Sequence, residues 1–420
     1  MKRAVLVVCD GLRADMVTAE YAPGLARRAA EAHAFTNHRS VFPSTTRVTS
    51  ASIATGCQPG RHGLEGNCVA LDEGNGLVAM SAGSLDFRDR LRAATGRTLM
   101  VPTLAERLAG DGGAIIFANV SAGAAHFQDP DGFGTLYHRL GSFAPGRVPM
   151  DENESMVVSH DGAGDRAMAE RFCASLKDHP PPLAVMWLCE PDHSQHGYPL
   201  GSPEHRQAIT NAEACVDAVA KTIADLRDGG DDVLLLIGSD HGHETIVSEA
   251  PLEDLLIAAG FKAGPDSSEV VIASNGFSAN IYLSDEARGR MDELVAFLRG
   301  EEWVDLIFAG DALAQVGHRT DTALAIAVTT TKSDDANEFG VPGLAITVAD
   351  PLSNDSRLGC GQHGGLGRYE QHPFLFVDGD PYAPGGRCSA ETSAVDLAPT
   401  ILRHLGKDWD GMDGSPLPAD

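Results

Sequence analysis

Short apolar runs and amphipathic stretches alternate along most of the chain. Four apolar runs have the character of buried strands that end in polar residues, at 4–9, 114–118, 183–189 and 233–237. Apolar residues recur at helical spacing between them, at 23–34, 102–108, 166–176 and 204–226. Strands that alternate with helices are typical of α/β proteins. We therefore predict a mainly parallel central sheet with helices on both faces.

The pattern changes after residue 244. Short strands are predicted at 270–273, 279–283 and 323–328, with a helix at 285–298. This piece predicts a small α+β cap, inserted at 245–355. A strand at 373–377 and a final helix at 395–405 then resume the first pattern. We expect residues 1–244 and 356–420 to form one core.

Composition narrows the functional classes. The chain has 420 residues and a formal net charge of -27, which argues against nucleic acid or an anionic membrane as a partner. The eight cysteines are scattered, without the framework of a small secreted domain. The first apolar run is too short for a signal peptide, and no run approaches the ~20 residues of a membrane span. We predict a soluble, cytoplasmic protein.

Carboxylates and imidazoles stand together at two distant points. Asp192 and His196 lie in Pro-Asp-His-Ser-Gln-His-Gly, and Asp240 and His241 lie in Gly-Ser-Asp-His-Gly-His. The strand at 233–237 would bring the second pair to the carboxyl edge of the sheet, where open α/β sheets bind ligands. A single Asp-His pair is more often part of a surface turn, so the other residues decide the interpretation.

Two more residues complete a ligand set. Asp10 follows the first predicted strand, and His363 lies between glycines at 361–365. Asp10 alone could cap a helix. Together with the four residues above, however, they give three ligands to each of two metal ions. Mixed oxygen and nitrogen ligands suit a pair of Zn²⁺ ions, although Mn²⁺ remains open because spacing does not separate the two metals.

The segments 41–49 and 54–63 carry the candidate nucleophile. They contain Phe-Pro-Ser-Thr-Thr-Arg and Thr-Gly-Cys-Gln-Pro-Gly-Arg-His-Gly. These motifs resemble the alkaline phosphatase superfamily, especially its nucleotide pyrophosphatase/phosphodiesterase and phosphonoacetate hydrolase branches. In those branches a Thr nucleophile stands nine positions before the Thr-Gly pair, which here gives Thr46 before Thr55. An Asn that holds the phosphoryl oxygens stands twenty-one positions after the nucleophile, which gives Asn67.

The resemblance also implies the ligand sets and the chemistry. One zinc ion would be held by Asp192, His196 and His363, and the other by Asp10, Thr46, Asp240 and His241. The fold implied is an alkaline phosphatase-like catalytic core at 1–244 and 356–420, with the inserted cap at 245–355 shaping the substrate pocket. The activity implied is hydrolysis of phosphate esters, as a phosphodiesterase or nucleotide pyrophosphatase, through a phospho-Thr46 intermediate. The expected substrate is a small anionic phosphate or phosphonate, and a homodimer is left open.

Two activities of the same superfamily remain as alternatives. The chain could be a phosphomonoesterase, or a C–P hydrolase similar to phosphonoacetate hydrolases. The latter bind the substrate carboxylate with lysines after the strand at 114–118, whereas residues 114–130 here contain neither Lys nor Arg. Arg47 either clamps a phosphate oxygen or lies on the solvent face of its helix. Thr49 stands where the phosphodiesterase branch has Asn. Phe127, Tyr137 and Trp187 either line a leaving-group pocket or belong to the core.

Three further classes fit the residues less well. Cys57 lies in a Cys-x-Pro-x-Arg pattern similar to that of sulfatases, but it follows the Thr-Gly pair, and Thr46 fills the position that a sulfatase Cys would occupy. A cofactor-independent mutase would be expected to use Ser and manganese. A noncatalytic, metal-stabilised binding protein would have lost a ligand or the nucleophile, whereas every matched position here is filled.

Overall fold

A computed structural model describes residues 1–178, 180–352 and 356–419. Among these residues, ten strands form the central sheet. Its five middle strands run parallel, and they are Asp232–Gly238, Lys2–Cys9, Leu183–Leu188, Ala114–Ala118 and Thr135–His138 in spatial order. One side continues with Leu375–Asp378, His33–Phe35 and Arg387–Cys388, and the other side with Phe143–Ala144 and Val148–Pro149. The prediction of a mainly parallel central sheet is confirmed.

Alternating side chains of the strand Lys2–Cys9 show how the sheet is covered. Val5 and Val7 pack on one face, in a core that includes the long helices Gly162–Asp178 and Pro203–Asp228. Leu6 and Val8 point to the opposite face. There they share a core with the helices Thr46–Thr55, Leu104–Leu108, Ala122–Gln128 and Leu397–His404. Both faces are therefore apolar and covered, as the α/β interpretation requires.

Strand register brings three chain segments to the same edge of the sheet. Cys9 pairs with Leu188, and Val8 pairs with Gly238. All three strands run in the same direction, so their carboxyl ends coincide. Asp10, Asp192 and Asp240 follow these strand ends within a few residues. Pairing over the whole strand length thus places the predicted ligands together.

A separate antiparallel sheet, here called the cap sheet, lies within the predicted insertion. Its strands, in spatial order, are Val270–Ser274, Ser278–Leu283, Leu324–Thr330 and Val304–Ala309. The helix predicted at 285–298 is a 3₁₀ turn, Ala287–Arg290, followed by the α-helix Met291–Leu298. Sequence patterning missed Val304–Ala309. The boundaries at 245 and 355 stay a prediction.

A third sheet, here called the bridging sheet, connects the cap to the core. Its strands, in spatial order, are Lys332–Ala336, Pro342–Val348, Glu244–Ala250 and Gly361–Gln362. Glu244 directly follows His243, and Gln362 directly precedes His363. The bridging sheet therefore fixes the chain on both sides of the predicted ligands. It was not predicted from the sequence.

The predicted helix at 23–34 is wrong at its carboxyl end. The helix stops at Glu31, and His33–Phe35 forms a strand of the central sheet, antiparallel to Leu375–Asp378. The partner strand lies more than 300 residues away in the sequence, so local spacing could not reveal it. Backbone pairing with that strand overrides the helical pattern of the preceding residues.

The remaining elements are short. The additional helices are Pro59–His62, Phe87–Thr95, Asp192–Gln195 and Leu252–Ala258. Further 3₁₀ turns are Ala14–Met16, Ala109–Asp111, Gly310–Val316 and Ala394–Asp396. Two-stranded ribbons pair Cys68–Asp72 with Leu77–Ser81 and His38–Arg39 with Thr392–Ser393. Within the described ranges, no helix combines the length and the apolar character needed to cross a membrane.

Candidate active site

The carboxyl edge of the central sheet carries a cluster of acidic and imidazole side chains. The structure brings together all seven predicted metal ligands, namely Asp10, Thr46, Asp192, His196, Asp240, His241 and His363. They come from four strand ends and from the first turn of the helix Thr46–Thr55. Residues separated by more than 350 positions in the sequence thus share one site.

Asp10, Asp240 and His241 form the first ligand group, and all three are buried. His241 Nε2 lies 3.5 Å from Asp10 Oδ1 and 3.2 Å from Asp240 Oδ2. Neither of these two oxygens has a hydrogen-bond partner among the described residues. Burial raises the pKa of both carboxyls, that of Asp240 to about 7, and their neighbouring negative charges add to the effect. Both oxygens are therefore available to coordinate a cation.

Asp192, His241, His243 and His363 form the second ligand group. Asp192 Oδ1 lies 2.8 Å from His243 Nε2 and 3.6 Å from His363 Nε2. His196 Nε2 lies 3.4 Å from the same oxygen, but His196 is outside the tightest group. Burial opposes ionisation of Asp192, yet the adjacent His196 and His243 outweigh it and lower its pKa well below the usual value.

His243 is the member of this cluster that sequence reasoning missed. The motif Gly-Ser-Asp-His-Gly-His already contained it, two positions after His241. Its ring fits between two glycines: a Cβ on Gly11 would lie 2.8 Å from Nε2, and a Cβ on Gly361 would lie 2.8 Å from Nδ1. Gly11 also has a φ of 72°, which favours glycine. The backbone is therefore shaped to admit this imidazole.

Two imidazoles are oriented by backbone carbonyls. His241 Nδ1 lies 3.1 Å from the carbonyl oxygen of Gly242, and His363 Nδ1 lies 2.8 Å from that of Ser44. Nδ1 must be the protonated nitrogen to donate to a carbonyl, so Nε2 keeps its lone pair. Burial lowers the pKa of His241 to about 3 and that of His363 well below its usual value. Both rings are neutral, as metal ligands must be.

These residues fit a pair of divalent metal ions. The donors are carboxylate oxygens and neutral imidazole nitrogens, the set that Zn²⁺ accepts and that Mn²⁺ also accepts. Two buried carboxylates, Asp10 and Asp240, and the partly buried Asp192 lie close together without a Lys or Arg side chain bonded to them among the described residues. A bound cation would pair the unpartnered oxygens of Asp10 and Asp240, as buried charges require.

Thr46 is the first residue of its helix, after the extended Thr45. Its Oγ1 lies 3.1 Å from His241 Nε2, so the hydroxyl directly adjoins the first ligand group. The helix amino terminus contributes a positive partial charge at the same point. The side chain is almost fully buried. A hydroxyl in this position can be activated by a metal ion and can attack a phosphorus bound beside it.

Asn67 is oriented by its neighbours. Its Oδ1 accepts from the backbone N–H of Arg47 at 3.1 Å, which leaves Nδ2 to serve as a donor. Its own backbone N–H donates to Asn275 Oδ1 at 2.6 Å. Asn275, at the end of a cap-sheet strand, was not identified from the sequence. Because Asn275 also accepts from Cys68 N–H, the cap holds the Asn67 segment in place.

The three aromatic candidates pack in the core, and Cys57 lies apart from the ligand cluster. Trp187 is buried and donates through Nε1 to Asp10 Oδ2 at 3.1 Å, so it positions a ligand instead of lining a pocket. Phe127 is buried, and Tyr137 stacks on a neighbouring core ring at a centroid distance of 4.3 Å. Cys57 is buried beside Thr55, beyond the end of the nucleophile helix. It does not occupy the position of a sulfatase nucleophile.

Comparisons with known proteins agree with this geometry. The family described as type I phosphodiesterase / nucleotide pyrophosphatase matches residues 4–305. A comparison with curated protein sequences finds no match. Solved structures, in contrast, resemble the chain over nearly its full length.

Three solved structures illustrate the likeness. Murine ectonucleotide pyrophosphatase/phosphodiesterase 5 is 17% identical, with a TM-score of 0.69 over 99% of this chain and 98% of that chain. Its inactive threonine-to-alanine variant, in complex with AMP, is 16% identical, with a TM-score of 0.70 over the same shares. The phosphonoacetate hydrolase from Sinorhizobium meliloti, in complex with phosphonoacetate, is 17% identical, with a TM-score of 0.64 over 96% of this chain and 95% of that chain. At these identities the likeness shows a shared fold.

Proposed function

The chain belongs to the type I phosphodiesterase / nucleotide pyrophosphatase family, and from this membership we propose that it hydrolyses phosphate diesters through a phospho-Thr46 intermediate. The observation that carries the proposal is the position of Thr46. Its Oγ1 lies 3.1 Å from His241 Nε2, at a helix amino terminus and beside two groups of metal-ligand type.

Two divalent metal ions, zinc in this proposal, would be held by the carboxylates and imidazoles at the sheet edge. One ion would be bound by Asp192, His196 and His363, and the other by Asp10, Thr46, Asp240 and His241. Once bound, the ions would lower the pKa of the attacking hydroxyl and stabilise charge on the leaving oxygen. His243 contacts Asp192 in the second ligand group and would hold that carboxylate or share its ion.

The protein's own residues perform the displacement in two steps. Thr46 Oγ1 gives its proton to solvent and forms a bond to phosphorus, while the bond from phosphorus to the leaving oxygen breaks and that oxygen takes up a proton. Water then gives a proton to solvent and attacks the same phosphorus. The bond to Oγ1 breaks, which frees the product, and Oγ1 takes up a proton to restore the hydroxyl. Asn67 Nδ2 and the backbone N–H of Thr46 donate to the oxygen on which negative charge develops. One such donor lowers the rate-determining barrier by about 3 kcal/mol.

The pocket is large enough for a substrate of nucleotide size. A cavity of about 640 Å³ opens beside the ligand cluster, lined on one side by Asn67, His196 and His363 and on the other by Asn275 and Thr347. This volume is typical of sites for molecules of nucleotide size. The murine relative binds AMP in its inactive variant, which agrees with a nucleotide-sized leaving or remaining group.

C–P hydrolysis remains the second candidate, because a phosphonoacetate hydrolase shares the fold. The segment 114–130 lacks the lysines that would hold a substrate carboxylate. We further propose zinc over manganese as the native metal, a cytoplasmic location and no nucleic-acid partner. Homodimer formation stays a prediction.

The proposal is tested by comparing three substrates with the zinc-loaded protein. These are bis(para-nitrophenyl) phosphate, para-nitrophenyl phosphate and phosphonoacetate. Thr46→Ala is the test variant and Thr210→Ala, at an exposed position of the helix Pro203–Asp228, is the matched control. We expect the diester to be the best substrate, with turnover abolished only by Thr46→Ala. Preference for another substrate would overturn the diester proposal, and full activity of Thr46→Ala would overturn the nucleophile.

A further inference from the structure

Arg47 is fixed beside the proposed nucleophile. Its Nη1 donates to the carbonyl oxygen of Asn67 at 3.1 Å, and its Nε donates to Ser121 Oγ at 3.3 Å. Gly83 lies so close to the guanidinium that a Cβ there would lie 2.5 Å from Nη2. The side chain is half-buried. It therefore does not lie on the open solvent face of its helix.

Arg47 differs from other arginines of the chain in its charged neighbours. Arginines elsewhere pair with carboxylates, as Arg28 does with Asp217 and Arg227 does with Asp378. Among the residues that the structure describes, no carboxylate forms an ion pair with Arg47. In a chain with 59 acidic residues, an unpaired half-buried cation calls for an anionic ligand.

Arg47 faces the cavity beside the ligand cluster. Asn67, His196 and His363 line the same cavity, so the guanidinium and the reaction centre share one space. The other charged side chains of the lining apart from the histidines, namely Glu249, Asp350 and Arg357, are exposed and have both signs. Arg47 is therefore the half-buried cation of this cavity, next to the nucleophile.

We propose that Arg47 binds a second anionic group of the substrate, a phosphate or a carboxylate joined to the scissile phosphoryl group by a short linker. A fixed guanidinium binds two oxygens of either group with charge-assisted hydrogen bonds. This inference rests on the proposed function, because the scissile phosphorus must lie at Thr46. Arg47 is then the residue that selects substrates with two anionic groups. In this role Arg47 takes the place of the lysines that are absent from 114–130.

The test compares ligands that differ in the second group. ATP supplies a second phosphate, phosphonoacetate supplies a carboxylate, and bis(para-nitrophenyl) phosphate has neither. We would measure kcat/KM for ATP and for the diester, and the inhibition of diester hydrolysis by phosphonoacetate. The variants are Arg47→Gln, Arg47→Lys and a matched control, Arg166→Gln, whose exposed side chain donates to Asn211.

We expect Arg47→Gln to reduce kcat/KM for ATP, or to weaken inhibition by phosphonoacetate, by about 10-fold to 100-fold. The effect should lie mainly in KM or the inhibition constant, with a smaller loss in Arg47→Lys and a smaller loss for the diester, which depends on Arg47 only through the contact with Asn67. A change for ATP would identify the second group as a phosphate, and a change for phosphonoacetate would identify it as a carboxylate. Unchanged values for both dianionic ligands, or an equal loss for all three, would overturn the inference. The proposed function would instead be contradicted if the unmodified protein showed no diester hydrolysis that depends on Thr46.

Discussion

His243 forms the shortest contact of the second ligand group, with Nε2 at 2.8 Å from Asp192 Oδ1. The imidazole is buried between Gly11 and Gly361, so it has little room to reorient. Asp192 is also approached by His196 and His363, at 3.4 Å and 3.6 Å. His243 therefore fixes the carboxylate around which the other imidazoles of this group converge.

Replacing His243 should weaken metal binding. His243→Ala removes the closest partner of Asp192, and loss of such an orienting contact typically lowers metal affinity about 10-fold to 100-fold. The measurement is titration of metal-free protein with Zn²⁺ by calorimetry. His193→Ala is the control, because His193 lies one position from Asp192 but is exposed. Equal affinities for the two variants would show that His243 does not orient a ligand.

Asp240→Asn should have opposite effects on the metal-free and the metal-loaded protein. Asp10, Asp192 and Asp240 place three carboxylates close together without a bound cation. Removing one charge relieves their repulsion, and Asn keeps an acceptor for the Gly11 N–H. We expect a Tm for the metal-free variant at or above that of the parent, and a smaller rise on adding zinc. For the parent, zinc at 100 times its Kd would add about 2.7 kcal/mol.

Thermal unfolding of Asp240→Asn, once with a chelator and once with added zinc, gives the Tm of the metal-free variant and the rise in Tm caused by zinc. A variant that loses stability without metal and gains as much as the parent with zinc would contradict the assignment of Asp240 as a ligand. Trp187→Phe is a useful comparison, because it removes a hydrogen bond to Asp10 without changing the charge.

Asn67→Ala should lower kcat and leave metal affinity unchanged. Nδ2 is the free donor of this amide, since Oδ1 accepts from Arg47 N–H. Loss of one donor to a developing negative charge reduces kcat about 100-fold to 1,000-fold. Asn67→Asp should be at least as damaging, because it replaces that donor with a second negative oxygen. Steady-state kinetics of diester hydrolysis decide the point, and a variant with parental kcat would exclude Asn67 from the chemistry.

Asn275 should act on the reaction through Asn67. Asn275→Ala leaves the N–H groups of Asn67 and Cys68 without their acceptor, which costs about 1–3 kcal/mol for each buried group that stays unsatisfied. Asn280→Ala is the matched control, because Asn280 is also buried and donates to Glu65 on the same side of the cap. Both variants should lower Tm, and only Asn275→Ala should lower kcat. Equal kcat in the two variants would assign Asn275 a purely structural role.

Much of the fold could be predicted because its strands are locally distinctive. Ala114–Ala118 has the predicted bounds, and Asp232–Gly238 extends the prediction by one residue at each end. His33–Phe35 and Glu244–Ala250 were missed for a common physical reason. Each pairs with a strand that is distant in sequence, and the polar residues of Glu244–Ala250 carry no strand signal without that partner.

Some residues of the candidate site could likewise be predicted from the sequence, and others could not. Asp10, Asp192 and Asp240 could be expected to meet because they follow parallel strands, whose carboxyl ends share one edge. His243 could not be distinguished from a solvent-facing residue, since its burial depends on Gly11 and Gly361 from other segments. Asn275 could not be identified because its contact with Asn67 joins residues 208 positions apart.

The stereochemical course at phosphorus tests the central claim most directly. The measurement is hydrolysis of a diastereomerically pure phosphorothioate diester in heavy-oxygen water, with analysis of the configuration of the product. Attack by Thr46 followed by attack of water inverts phosphorus twice, so we predict overall retention. Inversion would mean that water attacks the substrate directly, and it would contradict the phospho-Thr46 intermediate.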